Sequence, residues 1–248
     1  MSRPLRTVLV GATGRMGLAI EQAAARQGGF DIVHRVGREN LARLEQELDA
    51  LHADLIIDFS SPEALREVAR LCGLRRIPLL SGTTGITAQA EAQMDDASRH
   101  TALLHTANTS LGVAMLRRLV TLASSALPAS FDIEVVETHH RLKKDAPSGT
   151  AKLLAHAAHQ GRAASAVLEQ ARFGHFAPRA QGEIGMAALR GGDVIGEHTV
   201  HFLGDGERLE LTHRATDRSL FASGALTAGR WLVAQPPGRY TMDNLFGG

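Results

Sequence analysis

Short apolar runs and stretches of helical periodicity alternate through the first part of the chain. "RTVLVGA" is a buried-strand pattern ending in glycine, and "GRMGLAIEQAAARQ" after it is an alanine-rich helix. "FDIVHRV" reads as a second strand. "ENLARLEQELDAL" reads as a helix, with leucines at three- and four-residue spacing. "DLIIDFS" is a third strand, and "SPEALREVARLCG" opens on Ser-Pro and closes on glycine, as helices do. "IPLLSGTTG", "TAQAEAQMDDASR" and "TALLHTAN" continue the alternation as strand and loop, helix, and strand. Strands separated by helices of this length predict βαβ units and a parallel sheet covered on both faces.

After Asn108 the pattern changes. "SLGVAMLRRLVTLASSAL" predicts a long helix, "FDIEVVETHH" a strand, and "GTAKLLAHAAHQ" another helix. A loose region rich in Ala, Gly and Arg follows. Three strand-like runs then come without helices between them, "EIGMAALR", "DVIGEHTVHFLG" and "ERLELTHRA", and the Gly-Gly-Asp and Gly-Asp-Gly joints predict hairpin turns. "SLFASGALTAGRWLVAQ" is the final predicted helix, expected to return to the first domain. The expected domains are 1–109 with 217–248, and 110–216.

Composition narrows the classes. With 248 residues, 44% apolar and 21% charged, the chain can bury a sizeable core. A net charge of +1 lacks the broad basic field of a nucleic-acid binder. No run reaches the length of a membrane span, and the apolar "TVLV" near the N-terminus is too short for a signal peptide. No nucleic-acid or membrane partner is expected. The single cysteine, Cys72, excludes an internal disulfide framework and fits a reducing compartment, so a cytoplasmic location is expected. Twelve histidines are scattered without a zinc-type spacing, and no metal is expected.

Charge matters more locally. "VLVGATGRMG" sets Gly11, Gly14 and Gly17 between the first strand and first helix, a variant of the dinucleotide fingerprint. Small residues there let a pyrophosphate approach the helix N-terminus. Arg15 and Met16 project from the same turn. At this position in a βαβ run the motif points to a Rossmann-type nucleotide domain, although a glycine-rich turn also occurs without a ligand. Asp31 lies about 20 residues on, where a ribose-binding acid is expected, but at the wrong end of its strand. The far end offers Arg35 and Arg38, which suit a 2′-phosphate or a solvated surface equally. "SGTTG" (Ser81 to Gly85) and "HTANTSLG" (His105 to Gly112) follow later strands at the sheet edge where ligands bind.

The most concentrated chemistry is "HHRLKKDAPSGT", His139 to Thr150. Ser148 is a plausible helix N-cap, followed by the amides of Gly149 and Thr150. A helix start attracts carboxylates or phosphates, and Lys143 and His140 add cationic donors. His139 can change protonation near neutral pH, and Glu137 and Asp145 can orient these groups. Such a site suits a small dicarboxylate whose reaction needs both hydride and proton. A solvated basic loop is the competing reading.

These residues carry a resemblance. "EVVETHHRLKKDAPSGTA", with "VGATGRMG", "DFSSPEA", "SGTTG", "ANTSLG", "GEHTVHFLGDGERLELTHRA" and "FASGA" in order, resembles the 4-hydroxy-tetrahydrodipicolinate reductase (dihydrodipicolinate reductase) family over essentially the whole chain. The resemblance implies an α/β fold, with a Rossmann-type doubly wound parallel sheet domain and a smaller α+β domain with a mixed sheet. It implies NAD(P)H-dependent reduction in the diaminopimelate route to lysine, and a homotetramer packed through the mixed sheets. It makes His139 and Lys143 catalytic, and His140, Lys143, Ser148, Gly149 and Thr150 substrate-binding. It gives the cofactor Gly11, Ala12, Thr13, Gly14, Arg15, Met16 and Gly17. Further along, it adds Gly82, Thr83, Thr84, Ala107, Asn108 and Thr109. The sequence departs from the family where many members carry an acid followed by arginine. Gly37 stands in the acidic position before Arg38, so NADPH is the expected cofactor with NADH as the alternative. Two other functions fit the broad pattern, an amino-acid dehydrogenase on the same plan and a nucleotide-binding sensor without turnover.

Overall fold

Strand-then-helix alternation shapes the first part of the chain in a computed structural model that describes residues 3–162, 168–170 and 178–247. Strand β1 (Leu5–Val10) leads to α1 (Arg15–Gln27), β2 (Phe30–Val36), α2 (Leu44–Leu51) and β3 (Leu55–Asp58). Then come α3 (Pro62–Arg75), β4 (Leu79–Ser81), α4 (Ala88–Ser98) and β5 (Ala102–His105). Helix α5 (Leu111–Ala126), β6 (Asp132–His139), α6 (Gly149–Gly161), β7 (Leu168–Gln170), β8 (Ile184–Arg190), β9 (Gly196–Gly204) and β10 (Glu207–Ala215) follow. Helix α7 (Ser219–Leu232) and β11 (Gly238–Tyr240) close the order, before a last 3-10 turn at Met242–Phe246. The chain divides into two compact units, Met1–Ser110 with Ser219–Gly248, and Leu111–Arg218.

The first unit holds a six-stranded sheet in the order β11-β5-β4-β3-β1-β2, every neighbour parallel. Leu55, Ile56 and Ile57 of β3 are fully buried, as a strand covered on both faces requires. Chain order reverses beside β1, so the crevice beyond the carboxyl ends of β1 and β3 is the expected ligand edge. Helix starts follow their sequence signals. Ser61 accepts from the Ala64 amide ahead of Pro62, and Thr87 accepts from Ala90.

The second unit carries a five-stranded mixed sheet in the order β10-β9-β6-β8-β7. Helices α5 and α6 cover one face. Leu116 and Val120 of α5 and Leu154 and Ala158 of α6 pack over Val135, Met186 and Phe202.

Four expectations change. The Gly191–Asp193 joint is not a hairpin, because β8 pairs parallel to β6 and β9 pairs antiparallel to β6 on its other side. The connection must cross the end of β6, two strand spacings or about 10 Å. It is pinned there by Gly191 N–H on His139 O at 3.0 Å. Asp205–Gly206 does form the expected two-residue turn, with Gly206 at φ +81°. The helix expected over "ENLARLEQELDAL" opens as a 3-10 turn at Leu41–Arg43. Its would-be cap, Asn40, is occupied in the preceding turn, accepting from Gly37 N–H and donating to Arg35 O. Beyond the predicted final helix lie β11 and the 3-10 turn, too short to show a period. The loose Ala/Gly/Arg region contains β7, while its residues 163–167 and 171–177 lie outside the described residues.

Candidate active site

In the first unit, the turn after β1 is built by backbone constraint. Gly11 has φ +78°, and a Cβ there would strike the Phe59 carbonyl; a Cβ at Gly17 would strike Gly11 O and Ala12. The loop can therefore lie flat against β3 while α1 comes close beneath it. Gly14 caps α1 without a side-chain hydrogen bond, so no side chain competes for the first-turn amides. A cleft of about 800 Å³ opens here, lined by Gly11, Thr13, Gly14, Gly37, Arg38 and Phe59. Its size and lining fit a nucleotide. Ala12 is buried, Met16 half-buried, and Thr13 and Arg15 are exposed.

The end of β2 separates the two arginines. Arg35 forms an ion pair with Glu21 of α1 and so is committed away from the cleft, whereas Arg38 is exposed and lines it. Asp31 lies 4.0 Å from Arg6 at the other end of the strand. The Glu39 carboxylate folds over Gly37, filling the space that a side chain at residue 37 would take.

Asp58, at the end of β3, has no solvent exposure and accepts hydroxyl bonds from Ser81 Oγ and Thr83 Oγ1, both at 2.7 Å, and from Ser60 Oγ. Three hydroxyl donors suit an ionised acid, and no Lys or Arg bonds to it among the described residues. Burial pushes the Asp58 carboxyl up, and the hydroxyls only partly offset this. Thr83 is fixed further by Ser60 N–H on its Oγ1 at 2.9 Å and by His105 Nε2 on its carbonyl at 2.8 Å. The clamp sets the backbone of Gly82, half-buried, and Thr84, exposed. Ala107 is exposed, and Asn108 Oδ1 accepts from Ser110 N–H at 2.9 Å. Thr109 is buried, with its hydroxyl on Phe221 O at 2.7 Å. Sequence reasoning gives Asp58 no role, because a lone strand-end acid carries no sign of what will close over it.

In the second unit, alternation along β6 puts Ile133, Val135, Glu137 and His139 on one buried face. Two apolar residues are thus followed by two ionisable ones. The Glu137 side chain is wholly buried, and each oxygen is used twice. Oε2 accepts from His139 Nδ1 at 2.5 Å and from Arg190 at 2.8 Å, while Oε1 accepts from Ser148 N–H at 3.0 Å and from Arg190 at 2.8 Å. Burial alone would raise the Glu137 carboxyl, but Arg190, His139 and the Ser148 amide outweigh it and hold it below the ordinary value. Burial pushes His139 below the usual imidazole value, against the opposing pull of Glu137. At neutral pH His139 is therefore neutral, with Nδ1–H given to Glu137 and Nε2 bare.

Ser148 caps α6 as expected, its Oγ accepting from Ala151 N–H at 3.2 Å. Lys143 Nζ lies 2.8 Å from Asp145, and Arg190 also holds the Asp145 carbonyl at 2.6 Å. Gly149 is exposed, with open space where a Cβ would be, and Thr150 and His140 are half-buried. The structure thus gathers His139, Lys143 and Ser148 around the loop from β6 to α6. Arg190 and His198 were missed. They lie 53 and 50 residues beyond their partners Glu137 and Ser148, and only the sheet register, His139 opposite Arg190 and Glu137 opposite His198, brings them in. A bare imidazole nitrogen, an ammonium and a capped helix start can hold an anion and pass protons to and from it.

Comparison with known proteins points one way. Family models described as the dihydrodipicolinate reductase N-terminus and C-terminus match residues 5–109 and 112–246. A 4-hydroxy-tetrahydrodipicolinate reductase of Myxococcus xanthus is 41% identical over 98% of both chains. One of Zymomonas mobilis is 44% identical over 96% of both. Among solved structures, a dipicolinate-bound dihydrodipicolinate reductase from Paenisporosarcina sp. TG-14 shares the fold, with a TM-score of 0.81 at 21% identity over 97% of this chain and 99% of that one.

Proposed function

The chain belongs to the dihydrodipicolinate reductase family, and from that premise we propose how its own residues divide the work. The activity is NAD(P)H-dependent reduction of 4-hydroxy-tetrahydrodipicolinate to tetrahydrodipicolinate with loss of water, in the lysine and diaminopimelate route. Full-length identity to named reductases decides against the dehydrogenase and sensor readings.

The observation that carries the assignment of roles is the Glu137–His139 pair at 2.5 Å. It leaves Nε2 of a neutral His139 as a base. Losing water from the substrate requires taking a proton from the ring carbon beside C4 and giving one to the departing 4-hydroxyl. His139 takes the first, and the Lys143 ammonium supplies the second. The protonated His139, stabilised by Glu137, returns its proton to the same ring carbon once C4 is reduced. Lys143 recovers a proton from solvent, to which it is partly exposed. The residues of the first unit would hold a nicotinamide, which would supply the hydride that C4 needs. The α6 start, with Ser148, Gly149 and Thr150, holds a substrate carboxylate, and His140 and Lys143 add side-chain donors. The dipicolinate named with the structural relative is a ligand of the same class.

Nucleotide binding falls to the turn Gly11–Gly17, to Arg38, and to the loops at Gly82–Thr84 and Ala107–Thr109. NADPH is used at least as well as NADH, supported by Arg38 in the cleft and the missing acid at Gly37. We further assign a cytoplasmic homotetramer. The sheet face away from α5 and α6, with half-exposed Val136 and Thr199, supports the association, and a single buried thiol supports the location. The test is turnover with synthase-generated substrate, following nicotinamide absorbance with each cofactor. No oxidation of either cofactor would overturn the reading.

A further inference from the structure

Ser148 Oγ has two partners, Ala151 N–H at 3.2 Å and His198 Nε2 at 3.0 Å. A hydroxyl offers one proton and two lone pairs. The Ala151 amide takes one lone pair. What remains depends on which nitrogen of His198 carries hydrogen.

His198 is only 4% exposed and lies edge-on to His139, ring centroids 5.1 Å apart. Its Nδ1 is buried and has no hydrogen-bond partner among the described residues. A charged ring would need acceptors for two N–H groups and has one at most. Burial disfavours that form further, holding the ring at about 4. Of the two neutral forms, Nδ1–H would strand a buried donor. Nε2–H gives the ring's only N–H a partner and leaves Nδ1 as a bare acceptor, the less costly orphan. With Nε2–H donating, both lone pairs of Ser148 Oγ are filled by the chain, and the hydroxyl proton is left for an outside acceptor. Glu137 does not compete for that proton, since both its oxygens already accept two bonds.

We infer that His198 is a positioning residue: its Nε2–H donates to Ser148 Oγ and so turns the Ser148 hydroxyl proton toward a carboxylate of the substrate. The inference rests on the proposed reading of the α6 start as the carboxylate site. The register opposite Glu137 holds His198 in a paired strand, so the hydroxyl is aimed before the anion arrives.

The direct test is the nitrogen NMR shifts of the His198 ring in the wild-type enzyme with NADPH bound. Protonated Nε2 and bare Nδ1 are expected; the opposite tautomer overturns the proposal. Function supplies a second test. His198→Leu should raise the inhibition constant of pyridine-2,6-dicarboxylate and the substrate KM by about tenfold, the scale of one hydrogen bond to a charged group. NADPH affinity should hold. His198→Gln, whose terminal amide reaches the Nε2 position, should restore both to within about threefold, and His198→Asn, which is shorter, should not. The Ser148→Ala, His198→Leu double variant should be no worse than Ser148→Ala alone, whereas losses that multiply overturn the inference. If His198→Leu does not fold, the Gln and Asn pair decides. An unchanged inhibition constant in Ser148→Ala would overturn the carboxylate site itself, and with it the inference. Loss in Ser148→Ala but none in His198→Leu would overturn the role of His198 alone.

Discussion

Arg190 grips Glu137 through two hydrogen bonds of 2.8 Å, across 53 residues of sequence and one strand pairing. Glu137 is wholly buried, and the guanidinium is the only Lys or Arg bonded to it among the described residues. The bidentate bond keeps the carboxylate ionised, and so keeps His139 in one tautomer. Arg190→Ala should therefore cost roughly 3–5 kcal/mol of stability, the range for stranding a buried charge. Glu137→Gln should lower kcat by about 10²–10⁴-fold, since an amide can favour the wrong His139 tautomer. Urea unfolding checks the first and steady-state kinetics the second. A Glu137→Gln enzyme with wild-type kcat would remove the proposed His139 chemistry.

Stability should fall in acid, and His198 should account for much of the slope. Its folded value of about 4 lies below the ordinary 6.5, so the unfolded chain takes up the proton first. The contribution is complete above about pH 6.5 and is lost as pH falls toward 4. At roughly 1.4 kcal/mol per pH unit, the loss is on the order of 3 kcal/mol. Glu137 and His139, both depressed, act with the same sign. His198→Gln removes one titrating group, so its stability should decline less steeply between pH 6.5 and 4. Parallel wild-type and variant profiles would contradict this.

The β6-to-α6 stretch was legible in the sequence because its residues are neighbours along the chain. A cap, a proline and a cluster of cations announce themselves within twelve positions, "HHRLKKDAPSGT". The parallel sheet was legible for a similar reason: each strand and helix shows its own period. Arg190 and His198 were not, because their roles depend on β8 and β9 flanking β6, and strand order leaves no local mark. The expected hairpin at Gly191–Asp193 failed for the same cause. Glycines permit a tight turn, but they equally permit a crossing.

Lys143→Ala should cut kcat by about 10²–10⁴-fold while leaving NADPH affinity nearly intact, because the lysine belongs to the second unit. His139→Ala should behave alike. Pyridine-2,6-dicarboxylate should compete with substrate and bind more weakly as salt rises. Thr150→Val, which keeps the backbone amide, should matter little. Unchanged inhibition in a Lys143→Ala, His140→Ala double variant would place the anion elsewhere.

Asp58 predicts a different kind of loss. It is fully buried and ties Ser60, Ser81 and Thr83 together. Asp58→Asn replaces an acceptor by a donor facing hydroxyls, so at least one bond must break. Cofactor KM should rise several-fold while dipicolinate inhibition of the second unit stays constant. Thr83→Ser should preserve cofactor KM and Thr83→Val should raise it, which separates the hydroxyl from general packing. Equal KM in both Thr83 variants would count against the clamp.

Cofactor choice is expected to turn on two neighbouring side chains, Arg38 and Glu39. Arg38 lines the nucleotide cleft, while Arg35 is held by Glu21 and cannot serve as its substitute. A guanidinium favours a 2′-phosphate and a carboxylate favours a ribose diol. Glu39, folded over Gly37, brings a carboxylate into the space that an acidic side chain at residue 37 would occupy. The two groups pull opposite ways, and the arginine has the stronger claim because a phosphate carries full charge. Arg38→Ala should raise KM for NADPH by about tenfold or more, the loss of one charge-assisted bond, and KM for NADH much less. Glu39→Gln should raise KM for NADH and leave NADPH equal or better. Measuring kcat/KM for both cofactors in the wild type and the two variants decides it. A strong wild-type preference for NADH, or an Arg38 variant that weakens both cofactors equally, would hand the ribose to Glu39.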